Sequence, residues 1–505
     1  MAYRSARRAE SSSVSRRKLL VLVASGVGVS LLAACGGGAT ATPEATIGTG
    51  PVSSAASTAS GSSGVSTVAS ATSAVGSATA QSSATTQSAT SSANAAAPTA
   101  AASAPASESG KLVFWNTTEG TKTGYEQGDK DGFLDYFRAK NPKVELEADY
   151  NSDVYTKYQQ AAVAGTPPDV SFVSVSSVYD YAKKGYLTDL QPYANRSKLD
   201  LSNYYQVFFD ALRYPSVKAD LYAIPYEWVN TWLTYNKDLF QHAGIPFPDG
   251  TWSYDQFRDA ASKLTDASRP QWGCTSYTGY TTPILGCMIP SNGGSFFSSD
   301  YRQCTFNSEE NVASIQYLHD LMYASHAAPP PTTKAPDKGW FVRGQQAISM
   351  WNCCGDLGTD RQQKSLSWDV TANPKGSKGQ FNVAWSNQYV ISSPSRMKDA
   401  AWELLVDSIR PDRPPLTFGQ GKAPIMKGAA KAWLDDQKNE PPANLKVYLD
   451  EQYLTQLVVG PSRGDWQKVI DQQVNDVMQN KVSAHDGVAE AAKAMQVVLD
   501  KAWSS

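Results

Sequence analysis

Ala164-Gly165-Thr166-Pro167-Pro168-Asp169-Val170-Ser171-Phe172-Val173 is the stretch that decides the fold. A helical pattern running from Tyr155 to Ala164 stops at Gly165, and two prolines then hold the chain extended because their rings fix the backbone and disfavour helix before them. Val170 to Val173 follows as a short apolar run fit for a buried strand. The same alternation continues upstream. Leu112-Val113-Phe114-Trp115 reads as a buried strand, Phe133-Leu134-Tyr136-Phe137 as a helix face, and Val144-Glu145-Leu146-Glu147-Ala148 as a half-exposed strand. Strands alternating with helices predict an α/β fold, with a largely parallel sheet covered by helices on both faces and its ligand end at the strands' carboxyl ends.

Further along, Trp252-Ser253-Tyr254-Asp255-Gln256-Phe257 carries a helix start, with Ser253 as cap, Gln256 reaching back and Trp252 stapled to Phe257. Trp466, Val469, Ile470, Val474, Val477 and Met478 line one face of a late helix. Residues 110–505 exceed one ordinary core, so two lobes with a cleft between them are expected.

The amino-terminal 109 residues are of a different kind. Residues 1–35 hold six Lys/Arg and one Glu, with Arg16-Arg17-Lys18 preceding the uncharged stretch Leu19–Ala34 and then Leu32-Ala33-Ala34-Cys35. That stretch is shorter than the roughly 20 residues a spanning helix needs, so it reads as an export signal of twin-arginine type. Leu-Ala-Ala-Cys resembles a bacterial lipobox, which implies lipidation of Cys35. Of the 74 residues 36–109, 60 are Ala, Ser, Thr or Gly. Such a segment buries too little apolar surface to offset its entropy and is expected to be a disordered tether. An exported protein lipid-anchored to the cell membrane and facing outside is the resulting expectation.

The remainder carries 39 Lys+Arg against 44 Asp+Glu, so it has no footprint for a nucleic-acid backbone. Four His and no Cys-x-x-Cys pair argue against a metal site, and no cofactor motif is present.

The order of several segments resembles the extracellular solute-binding proteins of carbohydrate ABC transporters, the group that includes the maltodextrin-binding proteins. The segments are Ala164 to Val170, Lys184-Gly185-Tyr186-Leu187-Thr188-Asp189-Leu190, Leu221 to Tyr226, Leu233 to Phe240, Phe341 to Ala347 and Ile391 to Ser395. The likeness covers nearly all of 111–500. It implies a two-lobe periplasmic-binding-protein-like fold with a hinge and an interlobe ligand cleft. The amino-terminal lobe would comprise 110–228 plus about 387–422, and the carboxyl-terminal lobe about 231–384 plus 427–505. It also implies crossings near Trp228–Thr231, Trp385–Gln388 and Gly421–Met426. The implied ligand residues are Trp115 and Glu119 after the first strand, Ser176 after the third, and Glu227, Trp228, Asn230, Trp351, Asn352, Trp385 and Asn387, which the crossings bring into the cleft. Sugars suit this mixture, because their C–H faces lie on aromatic rings while their hydroxyls take planar amide and carboxylate partners. Trp228 is the expected stacking platform. A carbohydrate ligand, permease subunits and a monomeric state are the implied partners.

Five cysteines follow the lipobox. Cys353 and Cys354 are adjacent, and either form a strained vicinal disulfide, pair elsewhere or stay reduced; one bridge among Cys274, Cys287 and Cys304 is expected. A hydrolase using Glu119 and Glu227 is the enzymatic rival, but no nucleophile elbow, phosphate loop or His–carboxylate arrangement accompanies them. The other rival is a ligand sensor of the same fold without transport.

Overall fold

A computed structural model of the chain describes residues 108–117, 132–214, 219–275, 281–337, 339–412 and 421–504. The export signal, Cys35, all but the last two residues of the tether, and Glu119 lie outside these. Thirteen strands are described: β1 (Gly110–Asn116), β2 (Val144–Tyr150), β3 (Val170–Ser174), β4 (Arg213–Tyr214), β5 (Asp220–Leu221), β6 (Ile224–Asn230), β7 (Trp232–Asn236), β8 (Trp272–Cys274), β9 (Gln346–Asn352), β10 (Trp368–Thr371), β11 (Asn382–Ile391), β12 (Ala423–Pro424) and β13 (Leu454–Gln456). They form a seven-stranded sheet of order β12-β6-β11-β3-β1-β2, with β13 paired to β11, a four-stranded sheet of order β10-β7-β9-β8, and the ribbon β4-β5.

The deciding stretch folds as read. Helix Val154–Ala164 ends on Gly165 at φ +75°, and the amide of Thr166 donates to the Ala161 carbonyl over 2.9 Å. β3 is buried over Val170–Val173 and pairs in parallel with β1, which pairs in parallel with β2. The sheet as a whole is mixed rather than largely parallel. β11 runs antiparallel to both β3 and β6, because it returns from the smaller sheet toward which β3 and β6 point. Helix Tyr254–Leu264 begins with the expected capping box, the Gln256 amide donating to Ser253 Oγ at 3.2 Å and the Ser253 amide to Gln256 Oε1 at 2.8 Å.

Only Thr231 separates β6 in one sheet from β7 in the other, and its amide donates to the Val383 carbonyl over 3.0 Å. β11 already begins at Asn382, so the chain has rejoined the larger sheet before Trp385. After β12 the chain leaves again, and β13 brings it back along β11. Helix Arg463–Met478 buries Trp466, Ile470, Val474, Val477 and Met478 and packs on helix Ala484–Ser504. Gly487 allows that approach, since a Cβ there would meet Val477 Cγ2 at 2.5 Å.

Candidate functional site

The carboxyl end of β3 meets β11 at Asn387, and that of β6 runs beside β11 from Asn387 back to Ala384. Register places Ser174 opposite Asn387, Asn387 opposite Glu227, and Glu227 opposite Pro424, so one row of residues crosses four strands. Asn387 Nδ2 donates to Glu227 Oε1 over 2.7 Å, and Lys422 Nζ lies 3.6 Å from the same oxygen. The Glu227 side chain is only 2% exposed, so its carboxyl group is held in the buried row by polar partners rather than by water. Trp385 stands two residues before Asn387; both are half-buried while Ala384, Ser386 and Gln388 are buried, so alternation along β11 puts them on its more open face. The sequence expectation therefore brings Glu227, Asn387 and Trp385 together.

Trp351 is set by a different device. Between Trp232/Asn352 and Thr234/Ser349 the β7–β9 register slips by one residue, and Trp351 takes φ +59° in the resulting bulge. A bulky residue in the left-handed region is strained, and such strain collects where a side chain must be re-aimed. The indole Nε1 of Trp351 has no hydrogen-bond partner among the described residues, and its backbone amide donates to Asn373 Oδ1 at 3.4 Å.

Ser176 lies in the first turn of helix Val175–Lys183, which is capped by Ser174 Oγ accepting from the Ser176 amide at 3.3 Å. The Ser176 hydroxyl also accepts a hydrogen bond from Arg463 Nη1, while Arg463 Nε donates to the Val458 carbonyl over 2.8 Å. Arg463 and Lys422 were not singled out from sequence. The break at Gly460-Pro461 ahead of an amphipathic helix marked where a helix amino terminus would fall, but not that it faces Ser176.

Several expected ligand residues are occupied otherwise. Trp228 is fully buried among Tyr205, Phe208 and Tyr448, with ring centroids 4.8 to 5.1 Å away, and its Nε1 donates to the Pro424 carbonyl over 3.0 Å. It is a core residue with no open face, which corrects the platform role. Asn230 is also fully buried; its Nδ2 donates to the Tyr448 carbonyl at 2.9 Å and its Oδ1 accepts from the Thr231 amide at 2.9 Å, so it pins the crossing. Asn352 donates to Thr234 Oγ1 at 3.0 Å and accepts from Ser349 Oγ at 2.5 Å, bracing the bulge. Trp115 is half-buried under Lys157, whose Nζ sits 3.9 Å from the ring centroid. Glu119 lies outside the described residues.

Cys274, Cys287, Cys304 and Cys353 are free thiols, so the bridge expected within the first three is absent and Cys353 is not paired to Cys354. Cys287 instead sits at the crossings, where its Sγ accepts from the Val383 amide at 3.3 Å. Cys353 caps helix Cys354–Arg361, its amide donating to Asp356 Oδ2 over 2.8 Å. One turn on, burial and the neighbouring Asp356 push the Asp360 carboxyl up to about 8. A separate concavity of about 440 Å³ lies at the far ends of β7 and β9, lined by Asn236, His242, Arg269, Arg343 and Gln345 among others, and holds none of the expected residues.

Residues 115–406 match the family of bacterial extracellular solute-binding proteins, and the chain belongs to that family. It is therefore a binding protein rather than an enzyme. Among solved structures, an ABC substrate-binding protein of Listeria monocytogenes in complex with cycloalternan aligns with TM-score 0.66 and 22% identity, over 78% of this chain and 100% of that one. A cyclic α-maltosyl-1,6-maltose-binding protein of Arthrobacter globiformis aligns at 0.63 and 19% identity, over 78% and 100% of the two chains. These likenesses establish the two-lobe periplasmic-binding-protein fold. In sequence, an erythritol/L-threitol-binding protein of Mycolicibacterium smegmatis is 24% identical over 297 residues, which cover 52% of this chain and 59% of that relative.

Proposed function

We propose that the chain is a membrane-tethered lipoprotein that captures a sugar or oligosaccharide between two lobes and delivers it to an ABC transporter permease. The observation that carries the ligand class is the row at the strand ends, where the half-buried Asn387 amide, held on the Glu227 carboxyl, offers a planar hydroxyl partner two residues from the Trp385 ring on the open face of β11. The named ligands of the similar proteins, cycloalternan, a cyclic maltosyl-maltose and erythritol or threitol, are all polyhydroxylated and support the same class. One lobe is built on the larger sheet and the other on the smaller, with Thr231, the segment between β10 and β11, and the segments after β12 and β13 as the joints. Closure is favoured only by a ligand that binds the closed form better, and a solute touching both the row and the opposite lobe meets that condition. Cys35 supplies the anchor through its acyl chains. A thermal-shift screen of mono- and oligosaccharides tests the ligand class, since a ligand at about 100 times its Kd adds about 2.7 kcal/mol of stability. A shift with polyamines, amino acids or peptides and none with sugars contradicts it.

A further inference from the structure

One face of helix Val175–Lys183 is engaged along its whole length by residues more than a hundred positions away in the chain. Ser176 accepts from Arg463, the Asp180 Oδ1 accepts from the Ser462 amide at 2.8 Å, and Lys183 Nζ donates to the Ala502 carbonyl and lies 5.8 Å from the Trp503 ring. Between them the Tyr179 ring meets the Tyr301 ring edge-on, with centroids 5.9 Å apart. Positions 176, 179, 180 and 183 recur at the helical spacing of a single face.

The receiving residues also hold one another, for Trp503 Nε1 donates to the Tyr301 carbonyl over 2.8 Å. Two of them, Tyr301 at φ +57° and Ser462 at φ +51°, sit in left-handed backbone that side chains other than glycine rarely adopt. The helix itself packs on β3 and β11 of the larger sheet, whereas Ser462 and Arg463 begin the helix that packs with Ala484–Ser504. The contacts therefore join the two halves, and those of Asp180 and Lys183 do so one and two turns beyond the end of the helix that carries Ser176.

We infer that this face is a clasp that holds the lobes together and sets ligand affinity from outside the binding site. The inference rests on the two-lobe capture mechanism proposed above. Asp180 and Lys183 touch no expected ligand residue, so changing them alters closure and leaves the ligand contacts in place. A clasp of this kind lowers the cost of closing with or without ligand, and its loss leaves a smaller fraction of the protein in the closed form that retains ligand.

Solution scattering on the ligand-free protein provides the first test. Asp180→Ala and, separately, Lys183→Ala are expected to enlarge the radius of gyration, while Asp180→Asn, which keeps the accepting oxygen, leaves it near wild type. Titration with the sugar found by thermal shift provides the second: Asp180→Ala should weaken binding by about fivefold to tenfold, mainly through faster dissociation. Near-UV circular dichroism confirms that each variant is folded, and Lys183→Ala carries the test if Asp180→Ala is not. An unchanged radius of gyration in folded Asp180→Ala or Lys183→Ala overturns the clasp. If no sugar binds the wild type, the ligand class fails, and the scattering comparison still decides the clasp by itself.

Discussion

The side-chain amide of Asn387 donates to Glu227 Oε1 over 2.7 Å, joining residues 160 positions apart on the adjacent strands β11 and β6. The bond fixes the carboxyl group at the sheet end, with Lys422 Nζ 3.6 Å from the same oxygen. Asn387→Ala removes a donor from a buried carboxylate, which costs about 1–3 kcal/mol of stability. The same change is expected to weaken sugar binding by more than about tenfold, the affinity equivalent of about 1.4 kcal/mol. Urea denaturation and calorimetric titration read the two effects separately.

The tryptophans divide into two groups. Trp228→Ala empties a space enclosed by three aromatic rings and should destabilise the protein by roughly 3–5 kcal/mol. Trp385→Ala, at a half-buried position on the open face of β11, should shift the melting point far less while lowering sugar affinity by about tenfold or more. Comparing the melting point with the dissociation constant for each variant checks the division.

Thiol titration separates the cysteines. Cys274 and Cys287 are fully buried, and burial pushes both thiols up, away from the reactive thiolate. Neither should react with an aromatic disulfide reagent until the protein unfolds, whereas the half-buried Cys353 should react in the native state. A reducing agent should leave the melting point unchanged, because no bridge joins these four.

Asp360 predicts a pH dependence of stability. Burial, with Asp356 alongside, raises its carboxyl from 3.8 to about 8, so the folded protein keeps a proton that the unfolded chain has already lost. The unfolded state binds fewer protons in that interval, and stability therefore falls as pH rises from about 4 to about 8 and then levels. Urea midpoints at pH 5 and pH 8 should show this fall, and Asp360→Asn should flatten it.

Local chemistry was legible in the sequence where it acts over a few residues. The Gly165 stop, the Ser253–Gln256 capping box and the buried run of β3 all depend on neighbours within one turn or one strand. The mixed sheet was not legible, because the direction of β11 depends on its return from the other sheet. The site divided for the same reason. Alternation separates Glu227 from Trp228 but does not say which faces the core, and in β6 every residue is buried, so the pattern carries no inward or outward mark. The left-handed backbone of Trp351 comes from a bulge that only pairing with β7 reveals, and Arg463 meets Ser176 on a helix nearly three hundred residues earlier. Asn230 and Asn352 have the residue type that sugars favour, yet their amides are consumed inside the fold.

Calorimetric titration of an oligosaccharide panel into the exported domain, repeated with Glu227→Gln, tests the central claim most directly. A one-to-one complex with at least one sugar, weakened more than about tenfold when the carboxylate becomes an amide, is the predicted result. Sugar binding that is indifferent to Glu227→Gln and to Asn387→Ala, or tight binding of a solute without hydroxyls in place of any sugar, would contradict it.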